Sequence, residues 1–223
     1  MKTTLDSMRA RRSIREFENE LVPDTVIREL VTAAGRAPSS KNTQPWRLYL
    51  ACGTVLETLR AEFLAAFDAG REPKTEYKYS PHPLPDAWMA RAREVGHGIF
   101  HHKGIGRDNK EARRAHDREN FTFFGAPQVF FLGTQASAYS YGTFFDCGFV
   151  FDNLMLGLES LGYGSCPQYS PMIYSELLKK HLPGSADTLF IAALPFGRPK
   201  AGSHVNQFQP ARLPVDDWFT VAE

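Results

Sequence analysis

The chain has 223 residues, with 43% hydrophobic and 23% charged side chains, the balance of a globular protein of one large domain or two small ones. Its 26 Lys and Arg against 25 Asp and Glu leave a net charge of +1, which argues against a nucleic-acid binder with a broad basic face. Three scattered cysteines, Cys52, Cys147 and Cys166, form no CxxC pair, and no basic-then-apolar leader opens the sequence. A disulfide framework is therefore disfavoured, and a reducing cytoplasm is the expected location.

The first stretch with chemical content is Arg11-Arg12-Ser13-Ile14-Arg15. If it is extended, Arg11, Ser13 and Arg15 share one side and Arg12 points away. Two guanidinium forks and a hydroxyl then converge on a small volume, an arrangement suited to a phosphate monoester; a solvated basic patch is the competing reading. Residues 23–34 read as a helix, with Pro23 and Asp24 in its first turn and an apolar stripe of Val26, Ile27, Leu30, Val31 and Ala34. The following segment, Ala37-Pro38-Ser39-Ser40-Lys41-Asn42-Thr43-Gln44-Pro45-Trp46, packs short polar groups between two prolines. It is either a plain helix exit or a loop that hydrogen-bonds a planar, polar-edged ring.

Residues 47–51 read as a strand and 55–69 as a helix with Leu56, Leu59, Phe63 and Phe67 inward. From 70 to 85, Pro73, Pro81, Pro83 and Pro85 alternate with Tyr77, Tyr79 and His82, which predicts a long irregular excursion of the kind that serves as a lid or binding loop. Residues 86–119 read as two helical pieces broken near Gly104 and Gly106. Strands are predicted at 128–133 and 188–194, and a helix at 171–181. Residues 144–161 (FFDCGFVFDNLMLGLESL) are apolar nearly all round but carry Asp146, Asp152, Asn153 and Glu159. They predict a buried or subunit-interface helix and no membrane span. Short strands interspersed with helices imply a sheet covered on both faces, with no domain boundary.

No dinucleotide fingerprint, Walker motif or nucleophile elbow is present. Glu94, His97, His101 and His102 lack the zincin order and read as a polar helix surface, not a metal site. Phe121, Phe123 and Phe124 precede a predicted strand; at least one is expected in the core, and an aromatic gate over a flat ligand is the functional alternative. No catalytic triad can be assembled and no side chain is assigned as catalytic, so an enzyme built on this chain needs a cofactor to carry its reaction.

Taken together, Arg11-Arg12-Ser13-Ile14-Arg15-Glu16-Phe17, the block from Arg36 to Trp46, Phe123-Phe124-Gly125-Ala126-Pro127, Leu161-Gly162-Tyr163-Gly164-Ser165-Cys166-Pro167-Gln168, Gly197-Arg198-Pro199 and Ala211-Arg212-Leu213-Pro214 resemble the flavin-dependent nitroreductase family. The resemblance implies a single α+β domain over 1–223, with a mixed, mainly antiparallel sheet flanked by helices on both faces, and an interlocked homodimer with FMN at its interface. It implies phosphate and ribityl contacts from Arg11, Ser13, Arg15 and Arg212, with Arg12 in the motif but pointing elsewhere and Arg198 a weaker candidate. Pro38, Ser39, Ser40 and Asn42 would come from the other subunit, Pro167, Gln168 and Tyr169 would lie along the flavin, and Phe123 and Phe124 fall where substrate pockets of the family are shaped. The implied activity is ping-pong reduction of nitroaromatic, quinone or similar flat acceptors by NAD(P)H. Enoate reduction, reductive dehalogenation, or flavin binding as a sensor or store without turnover are the alternatives.

Overall fold

The computed structural model describes residues 2–222. Helix α1 (Thr4–Ala10), which carries no predicted counterpart, opens on a capping box: Thr3 Oγ1 accepts the Asp6 N–H at 3.2 Å while the Asp6 carboxylate accepts the Thr3 N–H at 3.3 Å. Helix α2 (Asp24–Ala34) buries Ile27, Leu30 and Ala34, as its stripe predicts. Strand β1 (Trp46–Cys52) leads into α3 (Gly53–Asp68), and the pieces at 86–119 become α4 (Asp86–His102) and α5 (Lys110–Glu119). Gly104, at φ 65°, makes the left-handed turn between them.

Strands β2 (Gln128–Gln135), β3 (Gly164–Ser165) and β4 (Thr188–Gly197) complete a sheet of order β1-β2-β4-β3 with every neighbouring pair antiparallel. Helix α6 (Tyr141–Ser160) fills the β2–β3 connection, and α7 (Ser175–His181) precedes β4. The helix predicted at 171–181 is shorter than expected: residues 170–174 form a 3-10 turn around Pro171 before α7 starts. Among the described residues no helix is long and apolar enough to cross a membrane.

The two-residue period of β2 divides the interior into two cores. Val129 and Phe131 face the side covered by α3 and α7, with Leu59, Phe63 and Leu178. Phe130 and Leu132 face the side covered by α2 and α6, with Leu30, Val150 and Leu154. Helices thus cover both faces of an antiparallel sheet, the expected α+β architecture. A bulge between Leu132 and Gly133 sets Gly133 opposite Phe190 and Leu132 opposite Ala192, leaving Ile191 without a partner. Gly133 is required there, because a Cβ would lie 2.7 Å from the Leu189 carbonyl oxygen.

Helix α6 buries Cys147, Val150, Leu154 and Leu158 but leaves Tyr141 and Phe145 exposed on its other side. The apolar stripe is therefore used on one face within the chain and open on another.

The aromatic residues before β2 are buried, as expected for at least one of them. Phe123 has 0% exposure, its ring meeting Phe63 and Phe131 edge-on at 5.6 and 5.4 Å. Phe124 is also buried, in a small cluster with Ile14, Phe17, Ala126 and Cys166. Both sit at positive φ (55° and 53°), in a tight turn, and both rings pack in the interior of the chain.

Candidate active site

The arginine segment is extended, and its position is fixed from two sides. Ser13 makes an isolated parallel bridge with Ser165, and the Ile14 N–H donates to the Ser165 carbonyl at 2.9 Å. Gly164 allows this approach, since a Cβ there would lie 2.5 Å from Ile14 Cγ1. On the opposite side, the buried Asn206 accepts the Arg15 N–H at 2.8 Å and the Glu16 N–H at 3.2 Å through Oδ1, and donates to the Glu16 carbonyl at 2.8 Å. Nothing in the sequence pattern singled out Asn206.

The alternation holds. Arg12 turns away, its Nε donating to the Asn206 carbonyl at 2.7 Å. On the other side lies the Cys166 thiol: burial pushes it up, while Arg15, Ser13 and Arg11 oppose the shift. Among the described residues no carboxylate pairs with Arg11 or Arg15. Arg15 Nη1 only reaches the Ser13 carbonyl, at 3.3 Å. Arg11 and Arg15 are thus two half-buried cations without a carboxylate counter-ion.

Arg198 is engaged elsewhere, with Nε on Glu20 at 3.0 Å and its guanidinium over the Tyr163 ring. Arg212 is not brought to the arginine segment by its own contacts. It lines a groove with Arg91 and Glu94 of α4, and its Nη1 returns to the carbonyls of Pro210 and Ala211.

Beyond Cys166 the chain runs along β4. Pro167 has no N–H, and the Gln168 N–H is taken by the Ala193 carbonyl at 2.8 Å. The Tyr169 N–H has no acceptor among the described residues. The Gln168 side chain is 5% exposed; its Nε2 donates to Asn120 at 3.2 and 3.3 Å, leaving Oε1 buried without a donor. Its orientation follows from Asn120, whose Nδ2 is used on the Asp117 carbonyl so that its oxygen faces Gln168. The Tyr169 amide is thus open, while Gln168 Oε1 is enclosed in the interior without a donor.

The loop at 37–46 is conformationally fixed although exposed. Lys41, Asn42 and Gln44 all hold positive φ (53°, 58° and 48°), a costly arrangement for side-chain-bearing residues. Ser39 Oγ accepts the Gln44 N–H at 2.9 Å, and the Ser40 N–H donates to the buried Asp146 at 3.1 Å. Pro38, Ser40 and Asn42 face solvent. Asp146 lies near the start of α6, whereas Lys2, just ahead of α1, pairs with Glu159 at its end, and Ser13 bridges the strand just after it. The two motif segments of one chain are thus separated by roughly 20 Å of helix, at about 1.5 Å per residue.

The 70–85 excursion, expected as a lid or binding loop, lays two tyrosine rings against Tyr169. Tyr79 stacks on Tyr169 with centroids 4.3 Å apart and planes at 14°, and Tyr77 meets Tyr169 edge-on at 5.6 Å. At the polar surface of α4, His102 Nδ1 pairs with the Gly98 carbonyl at 2.9 Å and its ring leans on Phe208.

An antiparallel sheet in two helical layers, with an uncompensated arginine segment beside an open backbone edge, is the frame on which the comparisons with known proteins fall. Residues 8–198 match the profile of the Nitroreductase family, and the chain belongs to that family of oxidoreductases. It is 28% identical over 216 residues to a chloronitrobenzene nitroreductase of Comamonas testosteroni, covering 96% of this chain and 95% of that one. It is 27% identical over 216 residues to a nitrobenzene nitroreductase of Ectopseudomonas oleovorans, with the same coverage. Among solved structures, the FMN and NADPH-dependent nitroreductase NfnB of Sphigopyxis sp. strain HMH superposes with a TM-score of 0.95 at 28% identity over the whole of both chains.

Proposed function

We propose that this chain is a cytoplasmic FMN-dependent NAD(P)H oxidoreductase that reduces flat nitroaromatic or quinone-like acceptors, and that it works as a homodimer. The observation that carries the reading is the pair of guanidiniums, Arg11 and Arg15, flanking Ser13 with no carboxylate partner. A phosphate monoester has the charge and acceptor geometry these groups lack in the free chain. When bound, FMN supplies the two-electron chemistry that no side chain here can supply.

The protein's part is binding and orientation. Arg11, Ser13 and Arg15 hold the phosphate end, while Arg12 braces the segment against Asn206. The Tyr169 N–H offers a donor to the ring edge, since Pro167 and Gln168 have none free. Ser39, Ser40 and Asn42 complete the site from a second copy, because within one chain their loop lies at the far end of α6 from the arginines. Pro38 opens that loop, and Arg212 joins the phosphate from the tail. NAD(P)H and the acceptor use one pocket in turn. The exposed Tyr141 and Phe145 face of α6 supplies apolar surface for the dimer.

The experiment is anaerobic mixing. The purified yellow protein should release FMN on denaturation, lose its visible absorbance on adding NADH or NADPH, and regain it with a nitroaromatic. FAD in the extract, or a flavin that neither nucleotide bleaches, overturns the reading.

A further inference from the structure

Residues 38–44 join α2 to β1, and among the described residues one hydrogen bond ties them to the rest of the chain. Their other bonds are internal: the Asn42 N–H to the Ser39 carbonyl at 3.0 Å, the Thr43 N–H to the Ser40 carbonyl at 3.1 Å, the Gln44 N–H to Ser39 Oγ at 2.9 Å and Gln44 Nε2 to the Asn42 carbonyl at 3.2 Å. The tether is the Ser40 N–H, which donates to Asp146 Oδ2 at 3.1 Å. The flanks are held separately. Asn153 Nδ2 donates to the Ala34 carbonyl at 3.3 Å before the loop, and Thr134 Oγ1 donates to the Pro45 carbonyl at 2.8 Å after it. Asp146 and Asn153 stand two turns apart on α6 and so share a face of it.

Asp146 is 7% exposed, and among the described residues no Lys, Arg or His pairs with it. A buried carboxylate without a cation costs stability, and one hydrogen bond to the amide of an exposed residue does not offset that cost. The fold gives no reason for a charged side chain at this position; the loop does. Lys41, Asn42 and Gln44 hold φ of 53°, 58° and 48° within four residues of the tethered amide. Such conformations persist only where their surroundings impose them.

Resting on the reading above, we propose that Asp146 is a positioning residue for the cofactor: through its one hydrogen bond to Ser40 it presets the 38–44 loop that Ser39, Ser40 and Asn42 offer to the flavin of the second copy. It touches no reacting atom and acts through the loop. With the tether in place, the loop is already in its strained form when FMN arrives. Without it, Lys41, Asn42 and Gln44 relax toward ordinary backbone conformations, and FMN must reorder them on binding. That ordering cost appears as weaker affinity while the two cores, which the loop does not hold together, keep their stability.

The test compares the wild type with Asp146→Ala, which removes the acceptor, and Asp146→Asn, which removes the charge but keeps an oxygen for the Ser40 N–H. Three quantities are measured on the full-length protein: the FMN dissociation constant by titration, the denaturant midpoint of the FMN-free form, and hydrogen exchange of the 38–44 segment in that form. Asp146→Ala should weaken FMN by about tenfold or more and speed exchange in the segment, with a midpoint no lower than that of the wild type. Asp146→Asn should recover an affinity within about threefold of the wild type, together with its slow exchange. Wild-type affinity in Asp146→Ala, or an Asp146→Asn no better than Asp146→Ala, overturns the role of Asp146. A lowered midpoint in Asp146→Ala also overturns it, because the residue then braces the fold. A wild type that takes up no FMN overturns the parent reading and this one with it.

Discussion

Asn206 reaches across 191 residues of sequence to accept the backbone N–H of Arg15 at 2.8 Å. The same side chain closes on Glu16 with a donor and an acceptor, and the Asn206 backbone carbonyl holds Arg12. The extended shape that turns Arg11, Ser13 and Arg15 to one side is therefore imposed from the far end of the chain as well as by the Ser165 bridge.

Asn206→Ala should cost both stability and cofactor affinity. It leaves two backbone N–H groups without their acceptor, at about 1–3 kcal/mol for each that stays dry. Denaturant unfolding of the apoprotein measures the first effect and FMN titration the second. A variant that loses stability but binds FMN as before would show that Asn206 braces the fold and not the site.

Arg15→Ala should weaken FMN by one to two decades in dissociation constant, the loss of a charge-assisted hydrogen bond worth roughly 1.5–3 kcal/mol. Arg12→Ala is the internal control: its guanidinium is committed to the Asn206 carbonyl, so its main cost should appear in unfolding. Flavin titrations in which Arg12→Ala does the greater damage would reverse the assignment of the two sides.

How far these features were legible in the sequence depended on how local their causes are. The alternation of Arg11, Ser13 and Arg15 is a property of any extended strand, and it survived intact. The stripes of α2 and α3 were readable for the same reason. Helix α1 was missed because its signal is a single capping box, Thr3 with Asp6, ahead of a seven-residue helix. An aromatic pair before a strand looks the same whether its turn faces a ligand or the core, so the burial and the positive φ of Phe123 and Phe124 leave no trace in periodicity. Asn206 and the Tyr79–Tyr169 stack depend on long-range contacts, which one sequence without relatives does not encode in any local pattern.

Stability should fall in alkali. Burial pushes the Cys147 thiol up to about 12, from an ordinary value near 9, with Asp146 adding to the shift. Above pH 9 the unfolded chain releases a proton that the folded chain keeps, so the native state binds more protons and unfolding becomes easier as pH rises. The stabilisation is complete below pH 9 and drains between about pH 9 and 12, at up to roughly 1.4 kcal/mol per pH unit for this thiol. Buried Cys166 and half-buried Tyr77 shift the same way and steepen the decline. Denaturant midpoints taken across this range should drop less steeply in Cys147→Ala; parallel curves would remove Cys147 as a cause.

Mixed dimers test whether two chains share one site. Arg15→Ala spoils the arginine segment, and a paired change at Ser39→Ala and Asn42→Ala spoils the strained loop while leaving Asp146 and its bond to Ser40 in place. Each homodimer should carry two damaged sites and retain little FMN. If each flavin lies between the arginine segment of one copy and the loop of the other, a mixed dimer concentrates both defects in one site. Its other site then combines the intact arginine segment with the intact loop. Co-expression with two different affinity tags, followed by tandem purification, isolates that species. It should hold about one tightly bound FMN per dimer, with an affinity like that of the wild type. If both segments served the flavin of their own chain, the mixed dimer would hold one site of each damaged kind and no wild-type affinity would appear. The roughly 20 Å of α6 between Asp146 and Glu159 makes the shared arrangement the expected one.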